Sequence, residues 1–185
     1  MGATLADRLD ALLPQTQCTR CGYAGCRPYA EALAGGAAGT DQCPPGGSAT
    51  AAALAALLGR PAKPVSATFG VEGPPRVAVI DETVCIGCAK CLPVCPVDAI
   101  VGAHRQLHTV IASECSGCEL CLPPCPVDCI ALVDLEPEPL PLGAIRQRAA
   151  QYRVRYAAHQ SRTAGLAAAR AARLESRGPP MGAQS

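Results

Sequence analysis

The chain has 185 residues, a formal net charge of +1, and only four Tyr, one Phe and no Trp among its aromatic positions. That length holds one or two small domains, and so few aromatic side chains exclude a large aromatic core. Small domains with thin cores are held by disulfides or by metals, and thirteen cysteines are available for either. The N-terminal stretch MGATLADRLDALL carries Asp7 and Asp10 and lacks a basic segment ahead of an apolar one, so it does not read as a secretory signal. Tightly grouped cysteines in a chain of that kind point to metal. The longest apolar run, residues 49–58, is about half of the roughly 20 residues that a spanning helix requires, and the expectation is a soluble chain.

Taken in chain order, residues 3–13 place Leu5, Leu9, Leu12 and Leu13 at helical spacing and predict a short amphipathic helix closed by Pro14. A cysteine-rich loop covers 18–26. Residues 27–34 predict a helix stopped by Gly35-Gly36, and Cys43-Pro-Pro-Gly-Gly reads as a turn. Ser48 is placed to N-cap a helix running to Leu58, with Leu54, Leu57 and Leu58 facing inward. The Pro- and Gly-rich stretch 59–75 reads as a linker. Residues 76–80 (RVAVI) and 107–112 (LHTVIA) predict strands, each leading into a cysteine run. After a Pro-punctuated break at 136–141, residues 144–177 predict a long Ala/Arg helix that places Ile145, Tyr152, Leu166 and Leu174 near one side, and residues 178–185 predict disorder.

Eight cysteines form two copies of C-x2-C-x2-C-x3-C, thirty residues apart: Cys85, Cys88, Cys91 and Cys95 before Pro96, then Cys115, Cys118, Cys121 and Cys125 before Pro126. This is the spacing of a two-cluster ferredoxin, in which the fourth cysteine of a run ligates the other [4Fe–4S] cluster. Cys85, Cys88, Cys91 and Cys125 are therefore assigned to one cluster, and Cys115, Cys118, Cys121 and Cys95 to the other. The copies extend beyond the cysteines, because PVDAI at 96–100 matches PVDCI at 126–130. Gly87 and Gly117 lie inside the wraps, where unusual backbone angles or close approach are useful. Zinc is the rival metal, but it usually takes two pairs of ligands and not two interlocked runs of four.

Cys18, Cys21, Cys26 and Cys43, with Gly22 and Gly25 between them, suit a third cluster, although here spacing alone leaves zinc and [2Fe–2S] open. Cys129 stands where the first copy has Ala99 and reads as a small packing residue, the sharper alternative being a spare ligand or redox-sensitive thiol. Of the three histidines, His104, His108 and His159, His108 reads as a surface or packing residue. No zinc-hydrolase pairing, phosphate loop or dinucleotide fingerprint is present.

Over roughly residues 15–135 the chain resembles the B subunit of the Rnf (Rsx) electron-transport complex. CTRCGYAGCRPYAEALAGG…DQCPPGG resembles that family's N-terminal [4Fe–4S] domain, which implies Cys18, Cys21, Cys26 and Cys43 as ligands. CIGCAKCLPVCPVDAIVGA…LHTVI…ECSGCELCLPPCPVDCI resembles its two-cluster ferredoxin domain. The resemblance implies three [4Fe–4S] clusters and a subunit of a membrane complex that couples electron flow between reduced ferredoxin and NAD to ion movement, or that keeps an iron–sulfur regulator reduced. It further implies a peripheral carrier on the cytoplasmic face of the bacterial inner membrane. Family members begin with a hydrophobic anchoring helix that this chain lacks, so a shortened, soluble relative is expected.

The expected fold is α+β: a helical [4Fe–4S] domain at 1–58, a linker at 59–75, a pseudo-twofold ferredoxin domain at 76–135, and a basic helical tail at 144–177. The expected function is one-electron transfer to and from redox protein partners, with no bond chemistry on the polypeptide. The alternatives are a free-standing ferredoxin serving another reductase, and a zinc-stabilised binding module. Charge is segregated: residues 81–134 hold seven acids and two bases, while 146–177 hold eight arginines and one acid. Three bound clusters would bring the whole molecule to about −5. The basic helix reads as a solvated face packed on the ferredoxin domain, or as a dock for acidic redox partners or anionic lipid. Nucleic acid is disfavoured because no recognition motif or stacking platform accompanies the charge.

Overall fold

The computed structural model describes residues 2–176; the 178–185 end and the last position of the predicted 144–177 helix lie outside the described residues. Helix α1 spans Leu5–Asp10. The Thr4 hydroxyl accepts from the Asp7 N–H at 3.2 Å, and the Asp7 carboxylate accepts from the Thr4 N–H at 2.8 Å, which satisfies two end donors reciprocally. The helix is shorter than the predicted 3–13. Ahead of Pro14 the chain tightens, and the N–H groups of Leu12 and Leu13 reach back only three residues, to Leu9 and Asp10. Helix α2, Cys26–Ala34, ends at the glycine pair as predicted: Gly36 takes a φ of +77° and the Ala37 N–H closes on the Ala32 carbonyl at 2.8 Å.

Helix α3 spans Gly47–Leu58, and Ser48 is not its N-cap. Ser48 lies inside the first turn, and the Glu72 carboxylate accepts from both its N–H at 2.9 Å and its hydroxyl at 2.6 Å. An anion belongs at a helix start, and here it is delivered from a distant segment of chain. The 59–75 stretch is thus more than a spacer. Its Ser66 N–H donates to the Asp41 carbonyl at 2.8 Å, and a 3-10 turn forms at Ala67–Phe69. Leu9, Leu13, Tyr29, Leu33 and Leu54 are fully buried together and form the core of this half, against Cys26 and Cys43.

Two antiparallel strand pairs build the other half. Strand β1, Arg76–Ile80, pairs with β4, Ile130–Asp134, in the register Arg76↔Asp134 to Ile80↔Ile130. Strand β2, Ile100–Val101, pairs with β3, Thr109–Val110. Each pair joins the lead-in of one cysteine copy to the exit of the other, so neither copy closes on itself. The predicted 107–112 strand shrinks to two residues because a 3-10 turn takes over at Ala112–Glu114, and the chain before it is occupied in turning at 103–106. Val97, Ala99, Ile100, Ala78, Ile80 and Ile130 form the second core.

Helix α4, Leu142–Ser176, has 35 residues. At 1.5 Å per residue it is about 52 Å long. Only its first part is anchored. Ile145, Ala149 and Tyr152 are buried, the Tyr152 hydroxyl donates to the Cys115 carbonyl at 3.1 Å, and Arg153 donates to the Asp10 carbonyl at 2.9 Å. The Arg155 Nε donates to the Val97 carbonyl at 2.7 Å, and His159 and Arg162 both meet the Asp98 carboxylate. Leu166 and Leu174 are 61% and 60% exposed, so the predicted apolar side is buried at its beginning and open to solvent farther along. The helix straps the two halves together, through Asp10 on one side and Cys115, Val97 and Asp98 on the other.

Burial resists ionisation of Asp98, but its bonds to His159 and Arg162 prevail and hold the carboxyl below its ordinary range. A carboxylate lowered on folding stabilises above its unfolded pKa and loses that contribution as pH falls through the folded value. Asp98→Asn should therefore raise amide hydrogen exchange across 155–163 while costing about 1 kcal/mol or less of global stability, as exposed ion pairs do. The wild-type protein should show the same local loosening when acidified below about pH 4, read by exchange mass spectrometry.

Candidate functional site

None of the thirteen cysteines is in a disulfide, and all of them line three separate small cavities. Cys18, Cys21, Cys26 and Cys43 line the first, together with Tyr29, Pro44 and Pro45. Cys115, Cys118, Cys121 and Cys95 line the second, with Ala78, Val97, Ala99 and Leu132. Cys85, Cys88, Cys91 and Cys125 line the third, with Ile80, Ile86, Val127 and Ile130, and with Cys129 and His108. The fold crosses the fourth cysteine of each run into the other run's cavity because β1 pairs with β4 and β2 with β3. Among the described residues, no group of three His, Cys, Asp or Glu side chains is arranged to hold a single metal ion. The sulfurs surround a space and do not meet at a point.

The backbone around these spaces is bent into a matched pattern. Gly87 and Gly117 both have φ of +67°, Ala89 and Glu119 have +60° and +67°, and Asp98 and Asp128 have +50° and +48°. In the first cavity's loop Gln15, Gln17 and Thr19 alternate in the same way, at +57°, +56° and +60°. Left-handed residues interspersed with ordinary ones turn successive N–H groups to one side, which makes a concavity for anions. One of those donors already meets sulfur, the Ala99 N–H at 3.2 Å from Cys95 Sγ, and from strand β1 the Ala78 N–H lies 3.5 Å from Cys115 Sγ.

Electrostatics set the chemical demand. Burial pushes the Cys26 and Cys121 thiols up to about 12 and Cys118 to about 11, while Cys43 rises well above its ordinary value. Neighbouring cysteines add to the rise in each case. In the first two cavities the thiolate form is therefore disfavoured, and a positively charged core would offset that cost. Four soft sulfur donors, apolar walls and inward N–H groups fit a [4Fe–4S] core.

Several residues at these cavities carry no motif. Gln15 and Gln17 are 3% and 4% exposed and form a relay: the Cys26 N–H donates to Gln17 Oε1 at 2.9 Å, Gln17 Nε2 to Gln15 Oε1 at 3.0 Å, and Gln15 Nε2 to the Asp10 carbonyl at 2.9 Å. The Ser116 hydroxyl donates to the Thr16 carbonyl at 3.3 Å and links the first and second cavities. Arg20 and Arg76 both grip the Glu119 carboxylate across the same junction. His108, read from sequence as a surface or packing residue, is 1% exposed, and its Nδ1 lies 3.4 Å from Cys85 Sγ. It is a buried polar neighbour of a cysteine, and pairing the two copies at their thirty-residue offset, which sets it against Ala78, is the signal that finds it. Cys129 is buried with its Sγ 3.5 Å from Cys125 Sγ. His104 is exposed, and His159 bonds Asp98.

Comparison with known proteins adds an independent line. A family model for a 4Fe-4S dicluster domain matches residues 78–132, and one for an Fe-S cluster segment matches residues 13–45. The chain is 61% identical over 110 residues to the B subunit of the ion-translocating oxidoreductase complex of Azoarcus sp. strain BH72, covering 60% of each chain. It is 58% identical over 137 residues to the B subunit of the same name from Alkalilimnicola ehrlichii, covering 73% of each, and 55% identical over 159 residues to that of Pseudomonas aeruginosa PAO1, covering 80% of this chain and 83% of the relative. The match thus spans about three-fifths of the Azoarcus relative and more of the others.

The wraps themselves can be tested by sterics. A Cβ at Gly117 would stand 2.3 Å from the Arg76 carbonyl oxygen, at a φ that L-residues resist, whereas one at Gly143 meets nothing within 4 Å. Gly117→Ala should cost about 1–3 kcal/mol and lower the melting temperature of anaerobically purified protein, with Gly143→Ala leaving it near wild type.

Proposed function

The chain belongs to the family of B subunits of ion-translocating oxidoreductase complexes, the Rnf or Rsx B family, and within it we propose a carrier of single electrons that holds three [4Fe–4S] clusters. The observation that carries this reading is the sorting of the cysteines into three apolar pockets, four in each of the first two and four plus Cys129 in the third. The proposed ligand sets are Cys18, Cys21, Cys26 and Cys43; Cys115, Cys118, Cys121 and Cys95; and Cys85, Cys88, Cys91 and Cys125. A [4Fe–4S] cluster supplies a one-electron couple whose potential its surroundings set. The polypeptide's part is to grip, insulate and space these centres, and no substrate bond is made or broken on it.

The proposed organisation is a helical unit at 1–58 and a dicluster unit at 76–135, joined by 59–75 and followed by the basic helix. The second ligand set occupies the middle of the row. It touches the first through Ser116 and Thr16 and shares the crossed strands with the third. The third set lies at the far end, beside Ile86, which is 59% exposed. The partners in this reading are other subunits of such a complex, with the chain peripheral to the cytoplasmic face of the membrane. Among the described residues no helix is long and apolar enough to cross a membrane. Zinc fits the cavities poorly, since it needs four ligands converging tetrahedrally at about 2.0–2.3 Å.

Anaerobically prepared protein should be brown and contain about twelve iron and twelve acid-labile sulfide per chain, four of each per cubane. About eight of each would remove the N-terminal cluster, and stoichiometric zinc without sulfide would end the reading. Cys95→Ala should damage the cluster of the Cys115 set and spare that of the Cys85 set, seen by EPR of the reduced variant. The opposite loss would overturn the crossed assignment.

A further inference from the structure

The two cysteine copies are close enough in sequence and shape that their differences can be read one by one. An offset of thirty residues pairs Ala78 with His108 and Ala99 with Cys129. The crossing places both alanines at the cavity of the Cys115 set, and both His108 and Cys129 at the cavity of the Cys85 set. In the alanine-lined cavity the N–H of Ala78 meets Cys115 and that of Ala99 meets Cys95, the two positions giving main-chain contacts only, while the Ser116 hydroxyl bonds Cys118. The other cavity adds side chains. His108 Nδ1 lies 3.4 Å from Cys85 Sγ, and Cys129 Sγ lies 3.5 Å from Cys125 Sγ.

The imidazole's position is built into the fold. It is 1% exposed, and Gly102 backs it so closely that a Cβ there would stand 2.4 Å from its Cδ2. Its Nε2 is buried without a hydrogen-bond partner among the described residues, so Nδ1 carries the ring's polar contact. Burying an imidazole in an apolar cavity is costly unless that contact is strong. A cysteine that ligates iron is a thiolate and can only accept, which makes Nδ1–H the donor. A donor at a ligand sulfur favours the state with more negative charge, and that is the reduced one.

We propose that His108, assisted by the Cys129 thiol, is a positioning residue for Cys85 that raises the reduction potential of the cluster in its cavity above that of the twin cavity. The inference rests on the proposed ligand sets. It makes the end of the row, not its middle, the place where an electron within the dicluster half rests.

The test is an EPR-monitored redox titration of the anaerobic, iron-replete full chain. Wild-type protein should show two unequal potentials for the dicluster half. His108→Ala should shift the higher of them downward by about tenfold in the reduced-to-oxidised ratio, which is about 59 mV for a one-electron couple. His108→Gln, which keeps an N–H donor, should recover part of that shift. Cys129→Ala should move the same potential in the same direction by less, and the double variant, with alanine in both copies, should bring the two potentials together. No shift at full iron and sulfide content, or a shift of the lower potential instead, overturns the proposal. Should His108→Ala fail to retain its clusters, the unmodified protein decides. Labelled with 15N-histidine, it should show histidine nitrogen coupling to one reduced cluster by pulsed EPR, and absence of that coupling overturns the proposal. Wild-type protein without iron and sulfide sinks the functional reading beneath it.

Discussion

Thiols crowded into a dry cavity oppose one another twice over. Burial penalises each negative charge, and every neighbour that ionises raises the cost for the next. Cys26, Cys43 and Cys121 show both effects in their raised pKa values. The remainder of the structure is organised around that conflict: inward N–H groups, left-handed residues that aim them, and apolar walls that keep water out. A core carrying several positive irons resolves it, and in a half-molecule with such short strands the metal is then part of what holds the fold.

The topology follows from the same requirement. A run of C-x2-C-x2-C wraps one side of a cavity, and the fourth sulfur must arrive from elsewhere. The antiparallel pairing of β1 with β4 and β2 with β3 brings it from the other copy. Helix α4 then bridges this half to the N-terminal one, with Tyr152 on the Cys115 carbonyl and Arg153 on the Asp10 carbonyl. Ser116, Thr16 and the Glu119 ion pairs reinforce the junction from the cavity side. The first and second cysteine sets are thereby held in fixed relation by hydrogen bonds and not by a flexible tether.

Much of this was legible in the sequence where local chemistry dictates it. Cysteine spacing is set by how a chain wraps a compact core, and the repeated PVD segment marked two copies of one unit. The helix stop at Gly35-Gly36 and the RVAVI strand are likewise local signals. What escaped depends on tertiary placement. Ser48 looked like a cap because its true anionic partner, Glu72, lies 24 residues away. His108 was legible as a surface or packing residue, and it is packed, but its contact with Cys85 exists only once the copies cross. Leu166 and Leu174 have helical spacing, yet periodicity says nothing about whether a neighbour covers them. Gln15 and Gln17 are polar residues in a loop, and nothing local announces that they are sealed beneath a cysteine turn.

The crossed sulfurs also impose a timetable on biosynthesis. With the proposed ligand sets, the N-terminal four are complete once Cys43 has been made, and that unit can receive its metal while the rest is still being translated. In the second half the Cys115 set lacks a donor until Cys121 exists, and the Cys85 set lacks one until Cys125 does. The dicluster unit therefore matures late, and a ribosome stalled between Cys95 and Cys115 leaves a nascent chain able to finish its first centre and neither of the others.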